Sequence, residues 1–92
     1  MVKTIWKYNL KITNNQTILL PIGAKILTVQ MIGETPFLFA LVNPKAEVES
    51  RCIEIFETGD VLYCMGESRI YISTFQINNG ELVFHVFEYN GV

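Results

Sequence analysis

The alternation of apolar and polar residues with a period of two constrains this chain more than any other feature. In TIWKYNLKI (4–12) the even-numbered residues are mostly apolar and the odd-numbered ones mostly polar, and AKILTVQMI (24–32) alternates in the same way. Successive side chains of a strand point to opposite faces of a sheet, so this pattern is typical of antiparallel strands with one buried face. No segment carries a convincing run of apolar residues at i, i+3, i+4 and i+7, the pattern that indicates an amphipathic helix.

Turn-forming residues divide the chain into short segments. Asn14-Asn15 tolerates positive φ and predicts a tight hairpin, and Gly33-Glu34 predicts another with glycine first. The segment PIG (21–23) predicts a turn with proline at its second position, and Asn78-Asn79-Gly80 predicts a further hairpin. The strands predicted between these turns are 4–12, 16–20, 24–32, 36–42, 51–56, 69–77 and 81–89.

These segments predict an all-β fold. About seven short strands with frequent turns form either a compact antiparallel sandwich or a small barrel. Segment 43–50 is expected to be a polar loop and 57–68 a long irregular excursion. With 92 residues the chain is predicted to be one domain, 1–92.

Two of the predicted strands are apolar on both faces, which predicts a homo-oligomer. ELVFHVFEY (81–89) carries apolar residues at both parities, with His85 among them, and PFLFALV (36–42) has the same character. One sandwich core covers one face of each strand, so the other face is expected to meet a second subunit.

The charge distribution agrees with self-association. Residues 1–25 hold four lysines and no acidic residue (+4), and residues 26–92 hold three basic and nine acidic residues (−6), which sum to the net charge of −2. The two parts offer complementary surfaces, and the net negative charge argues against general nucleic-acid binding.

Sequence features that would indicate a membrane, a cofactor or an enzyme are lacking. No apolar run approaches the roughly 18 residues that span a bilayer, and the first residues do not resemble a signal peptide. A cytoplasmic protein is therefore expected, with Cys52 and Cys64 as reduced thiols, although one disulfide is arithmetically allowed. These cysteines and His85, the single histidine, do not have zinc-site spacing.

Catalysis is not expected either. No nucleophile elbow or glycine-rich phosphate loop occurs, and carboxylate pairs such as Glu47/Glu49 and Glu54/Glu57 are expected to be solvated charges. The prediction is a non-enzymatic protein without cofactor or metal.

Candidate binding residues have two interpretations each. His85 is either a packed residue with hydrogen-bonded ring nitrogens or a ligand contact beside Phe87 and Tyr89. Lys3, Lys7 and Lys11 share one strand face, where lysine either protects an edge strand or binds an anion. Arg69 and Tyr71 offer a guanidinium for phosphate and a ring for stacking, whereas Trp6 is expected in the core. The predicted ligand-binding set is Lys7, Lys11, Arg69, Tyr71 and His85.

Four segments in order carry a resemblance that covers nearly the whole chain: KTIWKYNLKI, LPIGAKILTVQ, FALVNP and TFQINNGELVFHVFEY. Together they resemble a family of small, mostly phage-encoded proteins classed as a domain of unknown function. The resemblance implies a phage or prophage accessory protein in the bacterial cytoplasm and transfers no catalytic residue. Three functions stay open: sequestration of a small anionic, nucleotide-type ligand at a subunit interface, inhibition of a host protein by docking, and a minor structural role in the virion.

Overall fold

The computed structural model describes residues 2–62 and 68–90, and in these ranges every regular element is a strand. The seven strands are β1 (Thr4–Asn9), β2 (Gln16–Pro21), β3 (Lys25–Ile32), β4 (Thr35–Val42), β5 (Val48–Glu57), β6 (Arg69–Ile77) and β7 (Leu82–Tyr89). They form two antiparallel sheets: sheet A has the order β1-β4-β3, and sheet B has the order β2-β5-β7-β6. The predicted all-β fold of about seven strands is confirmed, and of the two predicted architectures, sandwich or small barrel, the two separate sheets fit the sandwich.

The core lies between the sheets, where the alternating patterns of their strands meet. In β4, residues Leu38, Ala40 and Val42 are fully buried and alternate with half-buried Phe37 and Phe39 on the outer face. In sheet B, β5 and β7 contribute further core residues, and the core as a whole comprises Leu10, Leu20, Ala24, Val29, Leu38, Ala40, Val42, Ile53, Ile55, Phe75 and Val86. The two strands predicted to be apolar on both faces, β4 and β7, are central strands of their sheets.

Two of the predicted hairpins are confirmed. Gly33 has a φ of 62° while Glu34 does not have positive φ, which fits a type II′ turn between β3 and β4. Asn78 and Asn79 also have positive φ, at 55° and 57°, in the connection between β6 and β7.

Two predicted turns are wrong, one in the strands that it connects and the other in the position of its proline. β1 ends at Asn9, and the Asn14-Asn15 segment crosses to the other sheet instead of forming a hairpin, since β1 pairs with β4 and β2 with β5. In the PIG segment, Pro21 is the first residue of the turn, because the Ala24 N–H donates to the Pro21 carbonyl at 3.0 Å.

Two further predictions, the length of the polar loop and the burial of Trp6, are wrong. The polar loop is shorter than predicted, because β5 already begins at Val48. Trp6 is 41% exposed and not in the core, because β1 is an edge strand of sheet A. Of the irregular excursion predicted at 57–68, residue 57 belongs to β5, 58–62 lie outside strands, and 63–67 lie outside the described residues.

On one side of the sandwich, the Ser73 side chain links the edge strands of the two sheets. β3 and β6 are edge strands of different sheets, and each has a register irregularity, between Ile26 and Thr28 and between Tyr71 and Ser73. The Ser73 hydroxyl donates to the Val29 carbonyl at 2.7 Å and accepts from the Val29 N–H at 3.1 Å. The hydroxyl thereby takes the place of a strand partner for Val29.

Candidate functional site

The structure brings together three of the five predicted ligand-binding residues. Arg69, Tyr71 and His85 lie on the outer face of sheet B, turned away from the core. Lys7 lies on the outer face of sheet A, with its Nζ 4.9 Å from the Phe37 ring centroid. Lys11 lies in the connection after β1, where its main-chain N–H and carbonyl bond the Gln16 side chain. A role in ligand binding stays a prediction for all five residues.

The register of three neighbouring strands builds the surface around Tyr71. β6 places Tyr71 opposite Phe87 and Arg69 opposite Tyr89, and β5 places Phe56 opposite His85. We call this surface the aromatic face, and its members are Phe56, Arg69, Tyr71, Phe87 and Tyr89.

The rings of the aromatic face contact one another. Phe87 is at the centre, 5.7 Å from the Tyr71 ring in an edge-on arrangement and 6.2 Å from the Phe56 ring in a tilted one. Both separations lie in the range favoured by aromatic pairs. Tyr71 remains 58% exposed and Tyr89 38% exposed. The face therefore offers a preformed apolar surface with two tyrosines on its outside.

The charge of Arg69 is balanced within the face. Its Nε donates to Glu54 at 2.6 Å, and its guanidinium lies 5.6 Å from the centroids of both Phe56 and Tyr89. The Arg69 and Glu54 side chains are only 14% and 12% exposed. The expectation that Glu54 is a solvated charge is therefore wrong, because β5 is a central strand of sheet B and its outer face is covered.

His85 is held by hydroxyl groups on both sides of its ring. Its Nδ1 lies 3.1 Å from the Thr74 hydroxyl and its Nε2 lies 2.7 Å from the Thr58 hydroxyl. The Thr74 hydroxyl also bonds the Tyr71 hydroxyl at 2.7 Å. A hydroxyl can donate or accept, so this arrangement serves either tautomer of the ring. These contacts favour the interpretation of His85 as a packed residue that orients Tyr71 through Thr74.

A second polar cluster lies at one end of sheet B. Arg51 bonds Glu88 through two nitrogens and donates to the Ala24 carbonyl at 2.8 Å, and Glu88 is only 7% exposed. The hydrogen bonds that Arg51 donates to Glu88 raise the pKa of Arg51, against the opposing effect of burial. An open cavity of about 570 Å³ adjoins the pair and extends to Cys52 and Tyr89. The contacts of Arg51 are those of a partly buried structural ion pair.

The sequence did not indicate that Phe56 belongs to the aromatic face or that Glu54 is the ion-pair partner of Arg69. Both have the parity opposite to the buried Ile53 and Ile55, so the alternation in β5 places them on the outer face. What the sequence did not indicate is that β5 lies next to β7, which brings Phe56 beside the ring of Phe87.

Within 2–62 and 68–90 no three His, Cys, Asp or Glu side chains are grouped for metal binding. The same ranges hold no helix with the length and apolar character needed to cross a membrane. Cys52 is a free thiol, and Cys64 lies outside the described residues.

Comparison with known proteins places the chain in a family. Residues 1–91 match the model of a domain of unknown function, DUF7352, so the chain belongs to this family. Comparison with curated proteins and with solved structures gives no significant match.

Proposed function

We propose that this protein is a non-enzymatic phage accessory protein that homo-oligomerises and, in the bacterial cytoplasm, inhibits a host protein by docking on it through the aromatic face. The observation that carries the proposal is the exposed tyrosine-rich surface around Phe87, which lies on the side of sheet B away from the core. Tyrosine and arginine are enriched among residues that dominate binding energy in protein interfaces, and charged residues are depleted at interface centres.

The charges around this surface support a partner with a basic rim. The centre of the face is balanced by the Arg69–Glu54 pair. Glu57, Asp60 and Glu81 lie where β5 ends and β7 begins, which makes this end of sheet B acidic. Complementary charges at a rim accelerate association and select partners more than they increase affinity.

The proposal is tested by comparing variants on opposite faces of the sandwich. Tyr71→Ala removes the most exposed ring of the aromatic face, and Gln30→Ala changes an exposed residue of sheet A as the matched control. Immobilised wild type and Gln30→Ala should retain the same bacterial protein, and Tyr71→Ala should bind the purified partner at least about tenfold more weakly. Equal binding by Tyr71→Ala and wild type, or the absence of any shared captured protein, would overturn the docking proposal.

A second candidate function is binding of a small anionic, nucleotide-type ligand. It is favoured by Lys7 over the Phe37 ring and by the exposed Lys25 on the same sheet, which pair positive charge with an aromatic surface. Thermal shifts against a nucleotide panel test it, because a ligand at 100 times its Kd stabilises the fold by about 2.7 kcal/mol. A shift that disappears in Lys7→Ala supports this candidate, and no shift across the panel rejects it.

A further inference from the structure

The described residues form four edge strands: β3 and β6 contact each other through the Ser73–Val29 bonds, and β1 and β2 lie on the opposite side of the sandwich. On that side β1 is the outer strand of sheet A, and β2 is the outer strand of sheet B. An uncovered edge presents main-chain N–H and carbonyl groups to which another strand can pair. The edges of β1 and β2 differ in charge, and this difference decides at which of the two edges a second strand can pair.

The hydrogen bonds on either side of β2 show which of its residues face outward. Before β2 the Asn14 carbonyl accepts from the Ile55 N–H, and after it the Ile22 N–H donates to the Glu47 carbonyl. In an antiparallel ladder the bonded pairs alternate, so the even-numbered residues of β2 bond β5. The N–H and carbonyl groups of Thr17 and Leu19 therefore point to the uncovered edge.

The edge of β2 lacks the charges that protect most edge strands. No charged residue occurs from 12 to 24. Leu19 is 57% exposed, Ile22 is 53% exposed, and Val48 at the start of the neighbouring strand is 59% exposed. An uncharged edge with exposed apolar side chains is a site where another strand can pair.

The edge of β1 has the opposite character. The bond from Leu10 N–H to the Pro36 carbonyl places the odd-numbered residues of β1, Ile5, Lys7 and Asn9, at the edge. Two copies of β1 paired in antiparallel orientation would bring their lysines onto one face, where like charges repel. Self-pairing is therefore disfavoured at β1 and unopposed by charge at β2.

We propose that β2 pairs with β2 of a second copy of this chain, in antiparallel orientation about a two-fold axis. Thr17 and Leu19 of each copy exchange main-chain hydrogen bonds, and Pro21 ends the pairing because it has no N–H. Sheet B then continues from four strands in one copy to eight in the dimer. Leu19, Ile22 and Val48 add apolar contact toward the roughly 800 Å² per partner that stable dimers bury.

This arrangement specifies the homo-oligomer of the proposed function and rests on that part of it, whereas docking on a host protein can fail without affecting the dimer. The outer faces of the two copies of sheet B become one continuous surface that carries two aromatic faces. Two linked sites raise overall binding strength when a partner reaches both at once.

Light scattering and sedimentation equilibrium at micromolar concentration test the dimer. Wild type should have twice the 10.5 kDa mass of one chain. Leu19→Lys places a charge at the proposed contact and should give the monomer mass. Asn9→Lys adds the same charge at the β1 edge and should leave the dimer intact. A monomeric wild type, or a dimer that Leu19→Lys leaves unchanged, would overturn the proposal.

Hydrogen exchange provides an independent readout of the contact. The amides of Thr17 and Leu19 bond no strand within residues 2–62 and 68–90 of their own copy, so their protection should rise with protein concentration and fall in Leu19→Lys. Concentration-independent, rapid exchange at both amides would contradict β2 pairing even if the mass were that of a dimer. Tyr71→Ala should keep the dimer mass, so a failure of docking is distinguished from a failure of dimerisation.

Discussion

Tyr8 contains a buried hydroxyl for which the described residues provide no hydrogen-bond partner. Burial also raises the pKa of this phenol. A buried polar group without a partner costs about 1–3 kcal/mol. Tyr8→Phe should therefore raise the free energy of unfolding by about 1 kcal/mol in urea titrations. Tyr71→Phe is the control, because its hydroxyl bonds Thr74, and it should not stabilise the fold. A loss of stability in Tyr8→Phe would show that its hydroxyl is bonded in solution.

Arg51 and Glu88 form an ion pair that should be costly to break from one side. Arg51→Ala leaves the Glu88 carboxylate buried without its partner, and the expected loss is about 3 kcal/mol. The double change Arg51→Met with Glu88→Leu should recover most of this loss, because neither charge then remains buried. Urea titrations measure both, and a double variant as unstable as Arg51→Ala would contradict the ion-pair explanation.

Cys52 should make the fold less stable at alkaline pH. Burial raises the pKa of its thiol, and the nearby Glu54 and Glu88 carboxylates add to this effect. The unfolded chain then loses the proton at lower pH than the folded chain, so stability falls as pH rises above about 8.5, the ordinary thiol value. The matched control is Cys64→Ser, which keeps Cys52. When the pH is raised from neutral to above about 8.5, the melting temperature of Cys52→Ser should decline less than that of Cys64→Ser. Equal declines would exclude Cys52 as a cause.

At the scale of elements, the Ser73 bond between β3 and β6 should be a main contributor to closing one side of the sandwich. Ser73→Ala removes both bonds to Val29, whose side chain is fully buried. The expected loss is about 1–3 kcal/mol, with faster hydrogen exchange at the Val29 amide. Gln76→Ala changes an exposed residue of the same strand and should have little effect. Unchanged exchange at Val29 in Ser73→Ala would show that another group replaces the hydroxyl.

The strands themselves could be predicted from the sequence because their signals are local. The alternation in β1 and β3 and the glycine of the β3–β4 turn each depend on a few neighbouring residues. The path from β1 to β2 was wrong because a turn signal does not indicate which sheet the next strand joins. The same limit applies to the site: Glu54 and Arg69 are 15 residues apart in the chain and meet only because β5 and β6 flank β7.

At the scale of the whole molecule, the fold separates the two charge signs that the sequence already divides. The lysines of residues 1–25 lie just before β1, on it, after it, or at the start of β3, and these positions belong to sheet A or adjoin it. Glu49, Glu54, Glu57 and Glu88 lie on β5 and β7 of sheet B. The uncharged β2 strand forms the edge of the acidic sheet. Two modes of self-association are therefore distinct. In one, the basic sheet A of one copy attracts the acidic sheet B of another, and in the other, the β2 edges of two copies pair.

Salt distinguishes these two modes, because only the first depends on charge. The Debye length falls from about 10 Å at 0.1 M salt to about 3 Å at 1 M, which screens contacts between exposed charges. A dimer held through β2 should keep its mass over this range, since main-chain bonds and apolar contacts are not weakened by screening. The charge-reversed variant Lys7→Glu with Lys25→Glu should also remain dimeric, because both lysines lie on sheet A. Dissociation of wild type at high salt, together with a monomeric Lys7→Glu, Lys25→Glu variant, would identify the charged faces as the contact in place of β2.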